Sequence, residues 1–214
     1  MRIFYDNQLK ELNQELTRMG GLCEQIIGFA AQALTDWNED LAEKVKKTGA
    51  EIDEMERSIE AVCMRLLLRQ QPVAGDLRFV SAALKMITDL ERIGDQAEDI
   101  VEIIPNMGQT SKNAHPKIQE MAKHAISMVV DSVDAYTRQD MELAKAVLEH
   151  DDIVDSDFVQ IKKELIGAIA ANPAQGEDTL DLLMIAKYFE RIADHATNVA
   201  EWVMYGMTGT HEVE

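Results

Sequence analysis

Basic residues are scarce. Lysine and arginine together number twenty-one against thirty-nine aspartates and glutamates in 214 residues, a formal charge of −18 with a pI near 4.6. So acidic a chain argues against nucleic acid or anionic lipid as a direct ligand, and for cations or basic protein surfaces. Cysteine is scarcer still. Cys23 and Cys63 stand alone, without a C-x-x-C pair or zinc-type Cys/His spacing, and read as free, buried thiols of a reducing compartment. Long apolar runs are missing too. No stretch reaches eighteen residues without a charge, and the start MRIFYDNQLKEL lacks the apolar region of a signal peptide, so the expectation is a soluble, cytoplasmic protein with no transmembrane segment and at most peripheral membrane contact.

Alternating β-branched runs are absent, and the four prolines all sit in short breaks. Apolar residues instead recur at 3–4 spacing almost throughout, which reads as an all-α chain. The breaks TDWNED at 35–40, QQPVAGD at 70–76, PNMGQTSKNAHP at 105–116, TRQD at 137–140 and NPAQGED at 172–178 hold the Pro, Gly and Asn that end helices. They separate six predicted helices over 5–35, 38–70, 75–104, 116–137, 140–171 and 177–206. The longest break divides the chain almost in half. It sets a first unit at 1–107, a linker at 108–115 and a second unit at 116–214.

The halves resemble each other. LERIGDQAEDIVE at 90–102 returns as FERIADHATNVAE at 189–201, matching Glu91, Arg92, Ile93, Asp95 and Glu102 to Glu190, Arg191, Ile192, Asp194 and Glu201. Upstream, DLAEKVKKTGAEID at 40–53 answers ELAKAVLEHDDIVD at 142–155, so Asp53 matches Asp155 while Gly49 stands where an acid leads the second copy. Each half is then a helix-helix-helix unit, expected to pack as an antiparallel three-helix bundle. Helices of this length span about 45 Å, so two such bundles make a rod or slab.

At about 100° per residue, Glu91, Asp95, Glu98 and Glu102 fall within roughly 60° of one another, with Asp99 about 40° further round. Like charges at i,i+4 destabilise an isolated helix by about 0.2–0.5 kcal/mol per pair. One offset is solvation of the stripe, opposite the apolar face of Leu90, Ile93, Ala97, Ile100 and Val101. The other is a hard cation such as Mg, Mn, Ca or Fe, which stacked carboxylates suit. Repetition in register favours the cation. In the second copy Glu190, Asp194 and Glu201 keep the stripe while Thr197 and Asn198 replace Glu98 and Asp99, Asn198 still offering a carbonyl oxygen. Asp151 and Asp155 on the second helix of that half are placed to converge on it. Lys187, three residues before Glu190, offers a metal-free way to neutralise that carboxylate. Arg92 and Arg191 are candidate carboxylate clamps or phosphate binders, and His195 is either a ligand or a polar flank residue.

Enzyme templates fare poorly. No histidine has Glu three residues earlier, so a ferritin-like di-iron centre is excluded. Nucleophile signatures and glycine-rich phosphate loops are missing. The dipeptide His150-Asp151 leaves a metal-dependent phosphohydrolase as an alternative, and a purely structural scaffold as another. The twelve methionines are spaced as core filler.

RQQPVAGDLR at 69–78, DLERIGDQAEDI and FERIADHATNVAE together resemble the PhoU family of bacterial phosphate-uptake regulators, over nearly the whole chain. The resemblance implies two tandem, internally repeated three-helix bundles carrying multinuclear clusters of divalent or trivalent metal (Fe, Mn, Mg or Zn). Carried over residue by residue, the ligands are Asp53, Glu91, Asp95 and Asp99 in the first half and Asp151, Asp155, Glu190, Asp194 and Asn198 in the second. Gly49 departs from the pattern, which implies fewer ligands or another nuclearity in the first cluster. The resemblance further implies a non-catalytic adaptor, often dimeric, at the cytoplasmic face of the membrane. Such an adaptor negatively regulates high-affinity phosphate uptake by contact with the ATPase subunit of the phosphate ABC transporter and a phosphate-sensing histidine kinase.

Overall fold

The computed structural model describes residues 2–69, 74–108 and 115–210. They form six helices: α1 Arg2–Ala33, α2 Glu39–Arg69, α3 Ala74–Ile103, α4 Pro116–Arg138, α5 Met141–Ala171 and α6 Gly176–Thr208, with 3-10 turns at Ile104–Asn106 and Pro173–Gln175. Each terminus lies within three residues of its predicted place. Residues 70–73, in the turn between α2 and α3, and 109–114, most of the predicted linker, lie outside the described residues.

Local chemistry explains the boundaries. Gln139 ends α4 in the left-handed region at φ 53°, and the next residue, Asp140, caps α5 by accepting from the backbone N–H of Glu142 and Leu143 at 3.1 Å each. Asn38 does the same for α2, its Oδ1 accepting from Leu41 N at 3.0 Å. Pro105 is the second residue of one 3-10 turn and Pro173 the first of the other, positions where a missing N–H costs nothing.

Helices α1, α2 and α3 pack on one another, as do α4, α5 and α6, giving two tandem three-helix bundles. The bundles join along two seams, α3 against α6 and α1 against α4, so α2 and α5 flank a central set of four. The periodic apolar residues of all six helices, among them Leu16, Ile52, Ile93, Val129, Val154 and Ile192, are buried in one continuous core. Each such side chain contributes about 1.5–3 kcal/mol. Cys23 and Cys63 are free and buried. The Cys23 thiol donates to the Leu90 carbonyl at 3.4 Å, and burial pushes both thiols up to about 12, so neither is a ready nucleophile. Among the described residues, no helix is long and apolar enough to cross a membrane.

A continuous core has a measurable consequence. A fragment of residues 1–107 keeps the contacts among α1, α2 and α3 but bares the faces that α4 and α6 cover. It should be helical by circular dichroism, yet melt below the intact chain and self-associate in sedimentation. A monomeric fragment as stable as the whole chain would show the seams to be energetically unimportant.

Candidate metal centre

Asp53 reaches from α2 toward Glu91 and Asp95, one turn apart on α3. One carboxylate oxygen from each lies within 4.8 Å of the other two. Two oxygens on opposite sides of a hard cation stand about 4.0–4.2 Å apart around Mg and about 4.6–5.2 Å apart around Ca, so the spacing of this donor set is compatible with an oxygen-liganded hard ion. Arg92 closes the solvent side: its Nη1 donates to Asp95 Oδ2 at 3.0 Å and its Nε sits 3.5 Å from Glu91 Oε2. Burial pushes the Glu91 carboxyl above its ordinary range, and Asp95, Glu56 and Asp53 add to the rise against the pull of Arg92.

Glu98 joins this group through Gly49. A Cβ built on Gly49 would stand 1.8 Å from Glu98 Oε1, so the carboxylate lies where a side chain at 49 would go. Burial raises its pKa, followed by the charges of Asp53 and Asp95. In the second repeat the roles are exchanged. Asp151 stands at the place of Gly49, and Thr197 at the place of Glu98. The Asp151 carboxylate meets the Thr197 hydroxyl, whose Oγ1 lies 3.1 Å from the Ala193 carbonyl oxygen. The acid has moved from α3 in one repeat to α5 in the other. Sequence reasoning noted the two departures separately; that they occupy facing positions is the signal that links them.

The remaining second-repeat acids are less compact. Asp151 is pushed up to about 6 by burial, then by Asp155 and Asp194, and Asp194 is raised by burial with Asp155 adding and Lys187 opposing. Glu190 is buried and ion-paired with Lys187, the metal-free neutralisation that its spacing suggested. Arg191, unlike Arg92, lies over the Tyr188 ring, 5.8 Å from its centroid.

Asp99 and Asn198 bond across the α3–α6 seam. The Tyr188 hydroxyl donates to Asp99, while Asn198 Nδ2 donates to Asp89 Oδ1 at 3.1 Å. These contacts are each other's images, because Asp89 matches Tyr188 and Asp99 matches Asn198 under the ninety-nine-residue repeat. His195 also turns to the seam, its Nδ1 lying 2.9 Å from Asp89 Oδ1. His150 pairs with His124, the ring nitrogens 2.6 Å apart, and burial followed by His124 lowers its pKa. Its partner is therefore another imidazole from α4, whereas Asp151 faces α6.

The PhoU domain family matches this chain twice, over residues 16–104 and 118–203. The chain is 37% identical over 210 residues to a protein of Clostridium acetobutylicum, covering 97% of this chain and 96% of that one. A Pseudomonas aeruginosa protein is 33% identical over 96% of this chain and 86% of its own length. Both are named phosphate-specific transport system accessory protein PhoU homolog. The crystal structure of PhoU from Pseudomonas aeruginosa superposes with a TM-score of 0.88 at 32% identity, covering 96% of this chain and all of that one. The phosphate transport system regulatory protein PhoU from Streptococcus pneumoniae gives 0.90 at 27% identity, covering 98% and 100%.

Two predictions follow from the carboxylates. A raised folded-state pKa favours the protonated acid, so the stability it brings is fully present below the unfolded value and is lost as pH rises through the folded one. Asp151→Asn should therefore melt above the unsubstituted protein at pH 8 in chelator, the gap closing as pH falls through about 6 toward 4. A gap independent of pH would contradict this. Separately, Gly49→Asp sets a second carboxylate against Glu98 and should lower the melting temperature at pH 8, whereas Gly49→Asp with Glu98→Thr rebuilds the second repeat's pair and should recover it. Additive effects in that double-mutant cycle would mean the two positions do not interact.

Proposed function

The chain belongs to the PhoU family, and from that membership we propose that it is a metal-binding accessory protein of phosphate-specific transport. It regulates uptake and phosphate-starvation signalling negatively, through protein contact and without catalysis. Its partners are the ATPase subunit of the phosphate ABC transporter and a phosphate-sensing histidine kinase, which it meets as a homodimer at the cytoplasmic face of the membrane.

The observation that carries the metal part of this reading is the convergence of Asp53 with Glu91 and Asp95 from separate helices. Backbone positions fixed by the core hold these carboxylates together. The set is oxygen only, which suits hard divalent or trivalent ions, and Glu98 supplies the acid that Gly49 lacks. In the second repeat Asp151, Asp155 and Asp194 form the corresponding group, with Glu190 released from Lys187 when an ion takes over its charge. A bound ion would cancel repulsion on the outer flanks of α3 and α6, stiffening both bundles at the surface that partners meet. That ion binds the folded geometry alone, so it stabilises by mass action.

Two measurements test the proposal. Mn or Fe should raise the melting temperature of the chelator-treated protein, and Asp95→Asn with Asp194→Asn should abolish both the rise and the bound metal. In cells, loss of this protein should switch on phosphate-starvation genes despite abundant phosphate. The double variant should fail to restore repression, and His150→Ala should restore it fully. A repression defect in His150→Ala with normal metal content would point instead to hydrolysis using the His150-Asp151 pair.

A further inference from the structure

His124 of α4 and His150 of α5 meet at the α4–α5 contact, whereas the neighbouring Asp151 faces Asp194 and Thr197 of α6. His124 Nδ1 lies 2.6 Å from His150 Nε2, with the ring centroids 4.8 Å apart and the planes inclined at 51°. Both residues are half-buried. The ring nitrogens that point away from the contact, His124 Nε2 and His150 Nδ1, are not among the buried unpaired atoms of the described residues and have no protein partner there, so they face water.

Packing does not demand the imidazoles. The shift of 102 residues that takes Asp53 to Asp155 also takes Met19 to Met121, Ala33 to Ala135 and Leu41 to Leu143. Under it Leu22 answers to His124, Phe29 to Asp131 and Thr48 to His150. In the first repeat Leu22 and Thr48 are buried and Phe29 packs on the core. In the second, two imidazoles and a carboxylate stand at those three positions. They act on one another: the Asp131 charge opposes the lowering of the His150 pKa. Asp131 Oδ2 also accepts from Ser127 Oγ at 3.2 Å, and Ser127 lies one turn along α4 from His124.

Two facing imidazoles suit a metal that prefers nitrogen. Each neutral ring carries one N–H, and a single hydrogen fills the contact. Moving that hydrogen to the outward nitrogen of its own ring, where water solvates it, leaves two lone pairs converging with no net loss of a proton. Nitrogens bound at about 2.0–2.1 Å to one ion stand about 2.9 Å apart at a right angle and about 3.4 Å apart at the tetrahedral angle. From the 2.6 Å contact the rings therefore open by less than about 1 Å. Imidazole suits Zn, Ni and Cu, whereas Mg, Ca and Mn favour carboxylate and water oxygens. We propose that His124 and His150 form a two-imidazole site for a borderline transition-metal ion, Zn(II), Ni(II) or Cu(II), with water in the remaining positions and the Asp131 carboxylate balancing its charge. This assignment rests on neither the carboxylate groups nor the accessory role.

Copper(II), which binds tightest of the three, tests it on the full-length, untagged protein with excess magnesium present to occupy the oxygen groups. One equivalent should bind saturably against a competing chelator, and pulsed electron paramagnetic resonance should show two imidazole nitrogens on the ion. His124→Leu and His150→Thr install the first repeat's own residues. Each should weaken copper binding at least tenfold and leave at most one imidazole on the ion. Asp95→Asn with Asp194→Asn should change neither the affinity nor the nitrogen signal, which separates this site from the carboxylates. Oxygen-only or single-imidazole coordination in the unsubstituted protein overturns the assignment, whether or not the variants fold. So does two-imidazole coordination kept at wild-type affinity in a folded variant at either histidine, or its loss in the folded carboxylate double variant.

Discussion

Packing of α3 along α6 is the contact on which the other features depend. Each is the third helix of its repeat, and the repeat relates them reciprocally: Asp89 meets Asn198 as Tyr188 meets Asp99. Such an arrangement is an internal version of an isologous interface, in which each surface contacts its own image. It spends one face of each helix on the partner repeat and another on the bundle core. Leu90, Ile93, Ala97 and Ile100 are buried in this way. The stripe acids are left on the flanks facing α2 and α5, where the second-helix acids can meet them.

Crowding those acids has an electrostatic cost that the core must offset. Glu91, Glu98, Asp99, Asp151 and Asp194 all hold their protons more tightly than an ordinary carboxyl, with burial as the largest cause in each case. The two repeats compensate differently. In the first, Arg92 spans Glu91 and Asp95 from the solvent side and leaves a compact oxygen triad inside. In the second, Lys187 engages Glu190, while Arg191 lies over Tyr188 at the seam. The same stripe thus gives one compact group of carboxylate oxygens and another whose carboxylates are partly committed to a lysine.

By itself the sequence determined the periodic features of this protein. Helix number, helix ends and the duplication follow from 3.6-residue periodicity, from Pro, Gly and Asn in the breaks, and from motifs repeated ninety-nine residues apart, all of which are local or directly comparable along the chain. The convergence of Asp53 on Glu91 and Asp95 was also within reach, because antiparallel neighbours in a three-helix bundle bring such acids together. Tertiary structure alone decided the contacts that depend on which helix lies opposite, across the seam or within a bundle. Asp89 and Tyr188 became seam residues, Asp99 and Asn198 were drawn to them, His150 found His124, and Glu98 filled the space above Gly49. Helical periodicity fixes which face a residue occupies but not the identity of the helix opposite, and every one of these pairings is set by that opposite helix.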